Sequence, residues 1–447
     1  MKPVNLSPVF LIGAALFLVG CGKQTNKQTD RQEWSSPQKV AETEDSLGGH
    51  ASLHKWHDTI FAWQFQRDGV ATRLLLDGER KSWSKQELSV GSRNISADPL
   101  VDEDGERLLL KRNYAENDRI RFELLCIRLA EGAQMTLDNE VKWTTDKQSF
   151  LGSVPENVRL HSGSVHLGDG LANNPEIYIP FSIDAETVAG KLFYRSHFNN
   201  GVFRSADSGK TWQLETISNF QGGAPTICRT KDYLYYFALR YPLPQYGLWF
   251  SRRSLEGDSW DAPEMITKTF GHDYGNYVAA ATDDAVHVCW LDGRHEKTKL
   301  SIDPYEKNYE VAYCRRKDSD SGWSKEILLS KGLLFAYWPT MSVEGDKIVI
   351  AWAGIKTAKG SHGEYAPNDI YYAMSKDGGK SWTNPFKLTD GAKDGIVSGR
   401  PQVVLLNGVI HLVYVQGKMN LKQESPGLRK LNQSPWPIYY QQRPFPE

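Results

Sequence analysis

Ionisable and aromatic residues gather in a few short stretches of this chain. They are Arg240-Tyr241, His272-Asp273-Tyr274, Asp292-Gly293-Arg294-His295-Glu296, a loop carrying His362, Glu364 and Tyr365, and Arg400 just ahead of Pro401. Tyr194, Arg195 and His197 extend the set. Guanidinium groups bind a carboxylate through two parallel hydrogen bonds and stack on flat faces, so arginines in such company suit an acidic sugar. A carboxylic acid beside them can hand a proton to a leaving oxygen, and a tyrosine paired with a glutamate can serve as a nucleophile. Each of these residues also has a plainer reading as a solvated loop charge, and Asp292 with Arg294 as a local ion pair.

The elements that must position these groups are announced by a repeated octet. Ser205-Ala206-Asp207-Ser208-Gly209-Lys210-Thr211-Trp212 and Ser375-Lys376-Asp377-Gly378-Gly379-Lys380-Ser381-Trp382 share one S-x-D-x-G-x-[TS]-W pattern. Asp, Gly and Ser/Thr cluster where a chain turns sharply and side chains bond nearby backbone, and strand-like residues precede each copy, so the octet reads as a hairpin turn. Weaker copies end at Trp83, Trp260 and Trp323, and Trp143 keeps only the tryptophan. Recurrence at roughly sixty residues without helical periodicity marks a repeat fold made of sheets.

Each unit resolves into four strands. One is Ala279–Ala281, Val286–Trp290, Val311–Cys314 and Glu326–Leu329; the next is 339–343, 348–352, 370–374 and 386–388. Such a unit, repeated, closes radially into an all-β propeller, which removes exposed sheet edges; seven blades are favoured, and six are compatible with the length. The last unit, 401–406, 410–415 and 438–440, lacks a fourth strand, and Ala51–Trp56 is expected to supply it. In a four-stranded blade the turns joining strands one to two and three to four share one face. The octets lie there, so Asp207, Gly209, Trp212, Asp377, Gly379 and Trp382 read as structural, while the ionisable stretches fall on the opposite face. His287, alternating with Val286 and Val288, reads as an interior histidine, and Tyr371, Tyr372, Tyr439 and Tyr440 as sheet packing.

The octets resemble the Asp-box (BNR) repeats of the sialidase superfamily, and the resemblance spans most of residues 60 to 445. It implies a glycoside hydrolase in which Arg240, Arg294 and Arg400 hold the substrate carboxylate, with Asp292 and Tyr241 beside them. Tyr365 with Glu364 would form the nucleophile pair and Asp273 would be the acid. The family's N-terminal Phe/Tyr-Arg-Ile/Leu-Pro motif is absent, and Arg67 in Gln66-Arg67-Asp68-Gly69 is the nearest arginine. Two alternatives therefore stand: a propeller-type polysaccharide lyase, in which His272 or Tyr274 removes a proton while Arg294 neutralises a uronate, and a glycan-binding protein without turnover.

The N-terminus, with Lys2, an apolar run from Val9 to Val19 and Leu18-Val19-Gly20-Cys21, resembles a bacterial lipoprotein signal. That resemblance implies a signal peptide over 1–20, acylation of Cys21, a polar tether over 21–50 and a propeller over 51–447. It also implies a cell-envelope location, with Gly22 fitting outer-membrane sorting. Fifty-three basic residues against 54 acidic ones leave no global field for nucleic acid. Cys126, Cys228, Cys289 and Cys314 lack CxxC spacing, so no metal or other cofactor is expected. Of the cysteines, only Cys289 and Cys314, on neighbouring strands, form a candidate disulfide. The expected partners are an acidic glycan and, through Cys21, a bilayer, with the protein itself a monomer.

Overall fold

The computed structural model describes residues 33–447 apart from several segments, among them 44–50, 66–69, 147–157, 241–246, 268–275, 294–308, 357–367 and 419–435. Across 88–166 and 183–199 it describes backbone only. The described chain forms seven antiparallel sheets, six of four strands and one whose first strand is broken into three short pieces. Numbered as blades in chain order, they start at Ala51, Ser96, Val158, Gly223, Tyr277, Phe335 and Ile396. First strands of successive blades touch all the way round, blade 7 against blade 1 included, so the sheets close into a seven-bladed propeller.

The core lies between the faces of adjacent blades. Between blades 5 and 6, Cys289, Val311 and Tyr313 meet Ile348, Ile350 and Trp352; between blades 7 and 1, Val413, Ile438 and Tyr440 meet Leu53, Ile60 and Leu74. Second strands are apolar on both sides for this reason: Lys347–Ile355 and Ala285–Asp292 are buried almost throughout.

The two octets fold identically. Ser205 Oγ donates to Asp207 Oδ1 at 2.8 Å and accepts from the Gly209 amide at 2.8 Å, while Asp207 accepts from Thr211 N and Thr211 Oγ1 at 2.8 and 2.6 Å. Ser375, Asp377, Gly379 and Ser381 repeat the set at 2.8, 2.8, 2.9 and 2.6 Å. Burial pushes the Asp377 carboxyl up, but the Ser381 and Ser375 bonds prevail and hold it at about 2. Each turn is also tied to the hairpin beside it, Ser208 N to Pro175 O at 2.9 Å and Gly378 N to Asp346 O at 2.9 Å.

Beyond the turn, the register recurs. In blades 4, 5 and 6 the tryptophan stands four residues before the fourth strand, at Trp260, Trp323 and Trp382. That strand's first residue faces a third-strand aromatic: Glu264 opposite Phe250, Ile327 opposite Tyr313, Phe386 opposite Tyr372. The residue after the tryptophan donates to a third-strand carbonyl: Asp261 to Arg252 at 2.8 Å, Ser324 to Arg315 at 2.8 Å, Thr383 to Met374 at 2.9 Å.

Blade 7 meets the same requirements with the two ends of the chain. Its fourth strand is Gln38–Thr43, paired with Trp436–Pro444; Gln38 faces Tyr440, Trp34 stands four residues earlier, and Ser35 N donates to Gln442 O at 2.8 Å. The expectation that Ala51–Trp56 closes this blade is thus corrected. That segment makes a tight hairpin with Thr59–Phe65 and is the inner strand of blade 1. The closing strand instead lies inside the stretch read as tether.

The candidate disulfide is also corrected: Cys289 and Cys314 are free. Cys314 pairs across the ladder with Val288, so Cys289 points to the opposite face of the sheet. Cys314 joins the core toward blade 4 and Cys289 the core toward blade 6. His287 is the interior histidine expected, its Nδ1 2.7 Å from the Tyr313 hydroxyl, and His411 repeats the pair with Tyr440 at 2.7 Å.

Two stability predictions follow from this packing. Gly379 has φ +83°, and a Cβ there would meet the Tyr313 hydroxyl at 1.8 Å, whereas Gly332, also at φ +83°, has open space around it. Gly379→Ala should therefore cost about 3 kcal/mol or more and Gly332→Ala about 1 kcal/mol in urea unfolding. Burial lowers His287 and His411 from 6.5 to about 4, so the folded state keeps them neutral while the unfolded chain protonates at the ordinary value. Stability should be complete above pH 6.5 and fall as pH drops toward 4, by roughly 1–3 kcal/mol per histidine. Urea midpoints across that range should flatten in His287→Gln and His411→Gln.

Candidate functional site

On the face opposite the octets, three inner strands carry the same irregularity. In blades 4, 6 and 7 the strand bulges at a residue that precedes proline: Ala224-Pro225, Trp338-Pro339 and Arg400-Pro401. All three residues have positive φ, 51°, 50° and 52°. Proline removes a ladder donor and disfavours the α region for the residue before it, which explains the bulge. Left-handed backbone on a tryptophan is an outlier that persists only where surroundings impose it, and such strain clusters at functional sites.

The bulges bring two of these side chains together. The Arg400 guanidinium lies over the Trp338 ring, 4.7 Å from its centroid. Both residues are half-buried. Gly399 makes this possible, since a Cβ there would meet the Trp338 ring at 2.9 Å. A guanidinium stacked on an indole keeps its in-plane N–H groups directed outward, the geometry that grips a carboxylate bidentately.

Blade 5 adds two carboxylates at the same end. Asp292 closes the second strand and lies directly across the ladder from Glu310, the first residue of the third. Asp292 is fully buried and accepts the Trp290 indole N–H at 3.2 Å; Glu310 is 8% exposed, and its Oε2 has no hydrogen-bond partner among the described residues. The neighbouring residue Tyr309 accepts from the Ala336 amide at 2.9 Å, which joins this end of blade 5 to the inner strand of blade 6, two residues before Trp338. Asp292 and Glu310 continue the face of blade 5 that carries Trp290 and Ala312 toward blade 4, whereas the indole and the guanidinium meet between blades 6 and 7, so this end of the propeller holds two separate groups of polar side chains.

Of the residues singled out in the sequence, Asp292 lies in the first of these groups, across from Glu310, and Arg400 in the second, over Trp338. Arg240 ends the second strand of blade 4 on the same face, by its backbone. Tyr194, Arg195 and His197 lie in the third strand of blade 3, opposite Thr187, Glu186 and Asp184. Tyr241, His272, Asp273, Tyr274, Arg294, His295, Glu296, His362, Glu364, Tyr365, Arg67 and Cys21 lie outside the described residues. Trp338 and Glu310 were missed. The signal for Trp338 was its place before a proline, matching Arg400-Pro401; Glu310 carried no signal until the ladder set it opposite Asp292.

The octet face holds a cavity of about 580 Å³ between blades 5 and 6, lined by His287, Arg315, Lys317, Asp284 and Asp346 among others. Two of its cations are engaged internally, Arg315 with the Gly378 carbonyl at 3.0 Å and Lys317 with Asp284 at 2.8 Å. No group of three or more metal-ligating side chains occurs among the described residues.

No protein-family model and no curated protein matches this chain. Solved structures similar to it include the polysaccharide lyase Uly1, at 11% identity and a TM-score of 0.46, with 88% of this chain and 90% of that one covered. A Trypanosoma rangeli sialidase in complex with the inhibitor DANA has 10% identity and a TM-score of 0.45, with 92% of this chain and 59% of that one covered. The β-propeller domain of the Trilobed protease from Pyrococcus furiosus has 9% identity and a TM-score of 0.41, with 82% and 92% covered. Identities this low transfer no residue role.

If the left-handed backbone at residue 400 is imposed for the sake of the guanidinium, removing the side chain should relieve strain. Arg400→Gly should leave the melting temperature unchanged or raise it, by the equivalent of about 0.5–1 kcal/mol, offset in part by the lost contact with Trp338. Differential scanning calorimetry reads the sign directly.

Proposed function

We propose that this propeller acts on acidic glycans at its mouth, as a sialidase-like glycoside hydrolase of the bacterial cell envelope. The observation that carries the reading is the Arg400 guanidinium stacked on Trp338 at paired strained bulges. Strain of this kind is retained where it positions a group for a ligand, and a ring-backed arginine suits a carboxylate on a flat-faced sugar.

In this reading Arg400, with Arg240 and Arg294, neutralises the substrate carboxylate, and Tyr241 and Asp292 complete its cradle. Asp273 supplies the proton to the leaving oxygen, and Tyr365 with Glu364 supplies the nucleophile. Glu310, whose Oε2 has no hydrogen-bond partner among the described residues, would orient a substrate hydroxyl. The octets, on the opposite face, hold the blades and take no part in chemistry. Acylated Cys21 would anchor the protein.

Incubation of the protein with sialosides and uronate polysaccharides tests the reading. Sugar release without ultraviolet absorbance is the expected result. Absorbance of an unsaturated uronate would instead assign a lyase with His272, Tyr274 and Arg294 as its working residues, and binding without turnover would assign a glycan-binding protein. Arg400→Gly should weaken glycan binding by roughly 10- to 100-fold, the range for loss of a charge-assisted bidentate contact. A similar loss in Trp338→Ala would place the stacked pair at the ligand, whereas unchanged binding in both variants would remove it from the site.

A further inference from the structure

The way blade 7 is completed fixes the face from which the N-terminal segment leaves the propeller. Trp34-Ser35 occupies the place of Trp323-Ser324 and Trp382-Thr383 in its bonds to the third strand and in its ring contact with the preceding blade. The Ser35 amide donates to Gln442 O at 2.8 Å, and Ser35 Oγ accepts from Gln442 N at 3.0 Å. Ser324 and Thr383 accept in the same way from Arg315 N and Met374 N, each at 3.0 Å. Trp34 packs edge-on against Tyr372 of blade 6, centroids 5.3 Å apart at 77°, as Trp382 packs against Tyr313 of blade 5 at 4.7 Å and 69°. Its indole N–H also donates to the Tyr372 hydroxyl at 3.1 Å, and the Arg443 guanidinium lies 5.9 Å from its ring.

The other tryptophans of this kind follow octet turns, so Trp34 stands at the octet face. The third strand of blade 7 confirms the direction: it runs toward that face, where Phe445 N donates to Gly408 O in the hairpin of the first two strands at 2.7 Å. Ser35 lies opposite Gln442, near that end. Lys376, inside the octet of blade 6, donates to the Glu447 carbonyl, which places the C-terminal residue there as well.

We infer that, once anchored through residue 21, the protein stands with its octet face toward the bilayer and its mouth away from it. This rests on the acylation of Cys21 proposed above. Twelve residues separate Cys21 from Trp34, a reach of about 40 Å when fully extended. The blade is about 30 Å tall, judged from the nine-residue strand Trp436–Pro444. Turning the mouth to the membrane would require the linker to climb the whole outer edge of blade 7, leaving about 10 Å to reach the lipid. With the octet face down, the linker runs straight to the surface. A mouth turned outward would meet glycans presented from beyond the membrane, and large polymers as readily as short ones.

The test places a donor fluorophore at Lys231→Cys, in an exposed octet-face hairpin, or at Lys331→Cys, in an exposed mouth-side connection. Acylated full-length protein is bound to vesicles containing an acceptor-labelled lipid. Energy transfer from position 231 should exceed that from position 331 by roughly twofold or more, given about 30 Å between the two faces. Equal transfer, or more from 331, would overturn the orientation. Acylation is read separately, by the mass of the N-terminal peptide and by flotation with vesicles. Should it fail, the same two labels on a chain whose residues 22–32 are replaced by a hexahistidine tether, bound to nickel-chelating vesicles, decide the orientation alone. Trp34→Ala on that chain should reduce the difference between the labels, because it frees the segment that sets the exit point.

Discussion

The contact on which much of this propeller depends is an edge-on meeting of two aromatic rings across four successive blade boundaries, from blade 4 round to blade 1. Trp323 stands on Phe250, Trp382 on Tyr313, Trp34 on Tyr372 and Trp83 on Tyr440, with centroids between 4.7 and 5.3 Å and planes 69° to 84° apart. In this arrangement the positive edge of one ring meets the negative face of the other, worth about 0.5–1.5 kcal/mol beyond the area buried. More important is where the contact acts. It couples the outer part of one blade to the middle of the preceding one, so a sheet cannot slip in register without losing its neighbour. The octet turn exists to aim the tryptophan, and the absence of a side chain at Gly379 exists to admit the Tyr313 hydroxyl that the tryptophan flanks.

The same contact explains how a ring of seven sheets is closed by a linear chain. One boundary must be made by residues from the two ends, and the loop it closes is nearly the whole protein. The entropic cost of such closure grows only slowly with length, but it must be offset locally. Blade 7 concentrates interactions at that seam: a strand pairing over Gln38–Thr43, the Trp34–Tyr372 contact, the Ser35–Gln442 bonds, and Gln441 Nε2 donating to Ser35 O at 2.8 Å. Tyr440 then carries the order onward to Trp83 of blade 1.

The blades were legible in the sequence where turn chemistry and alternation agree, as in blades 5 and 6, whose strands fall where Val286–Trp290 and Ile348–Trp352 suggested. The closing strand was not, although its signal was present. Trp34-Ser35-Ser36-Pro37 has the spacing of Trp382-Thr383-Asn384-Pro385 and Trp260-Asp261-Ala262-Pro263. It lacks the preceding Ser, Asp and Gly because no turn joins it to a third strand, so a search keyed on the turn passes over it. A wider unit is visible in retrospect. Seven residues after Trp260, Trp323 and Trp382 come Thr267, Ser330 and Thr389, whose hydroxyls accept from Leu248, Val311 and Ile370 amides at 3.0, 2.8 and 2.9 Å. The repeat is therefore a register as much as a turn.

The candidate site was legible in part, and the division has a physical cause. Arg400 was marked by composition and by the proline after it. Glu310 looked like any charged residue at the start of a strand, because its neighbour Asp292 is eighteen positions away and only pairing brings them opposite. Trp338 carried no signal beyond its place before a proline, and its approach to Arg400 depends on a bulge that interrupts the alternation of the strand. The two faces of the molecule follow one logic throughout. Short turns with saturated hydrogen bonds fill the octet face and hold the blades. The buried carboxylates Asp292 and Glu310 and the bulges at Ala224, Trp338 and Arg400 occur on the other face, where long connections leave the sheets. A substitution at Gly379 thus acts first on the packing between blades, while one at Arg400 acts first on its contact with Trp338.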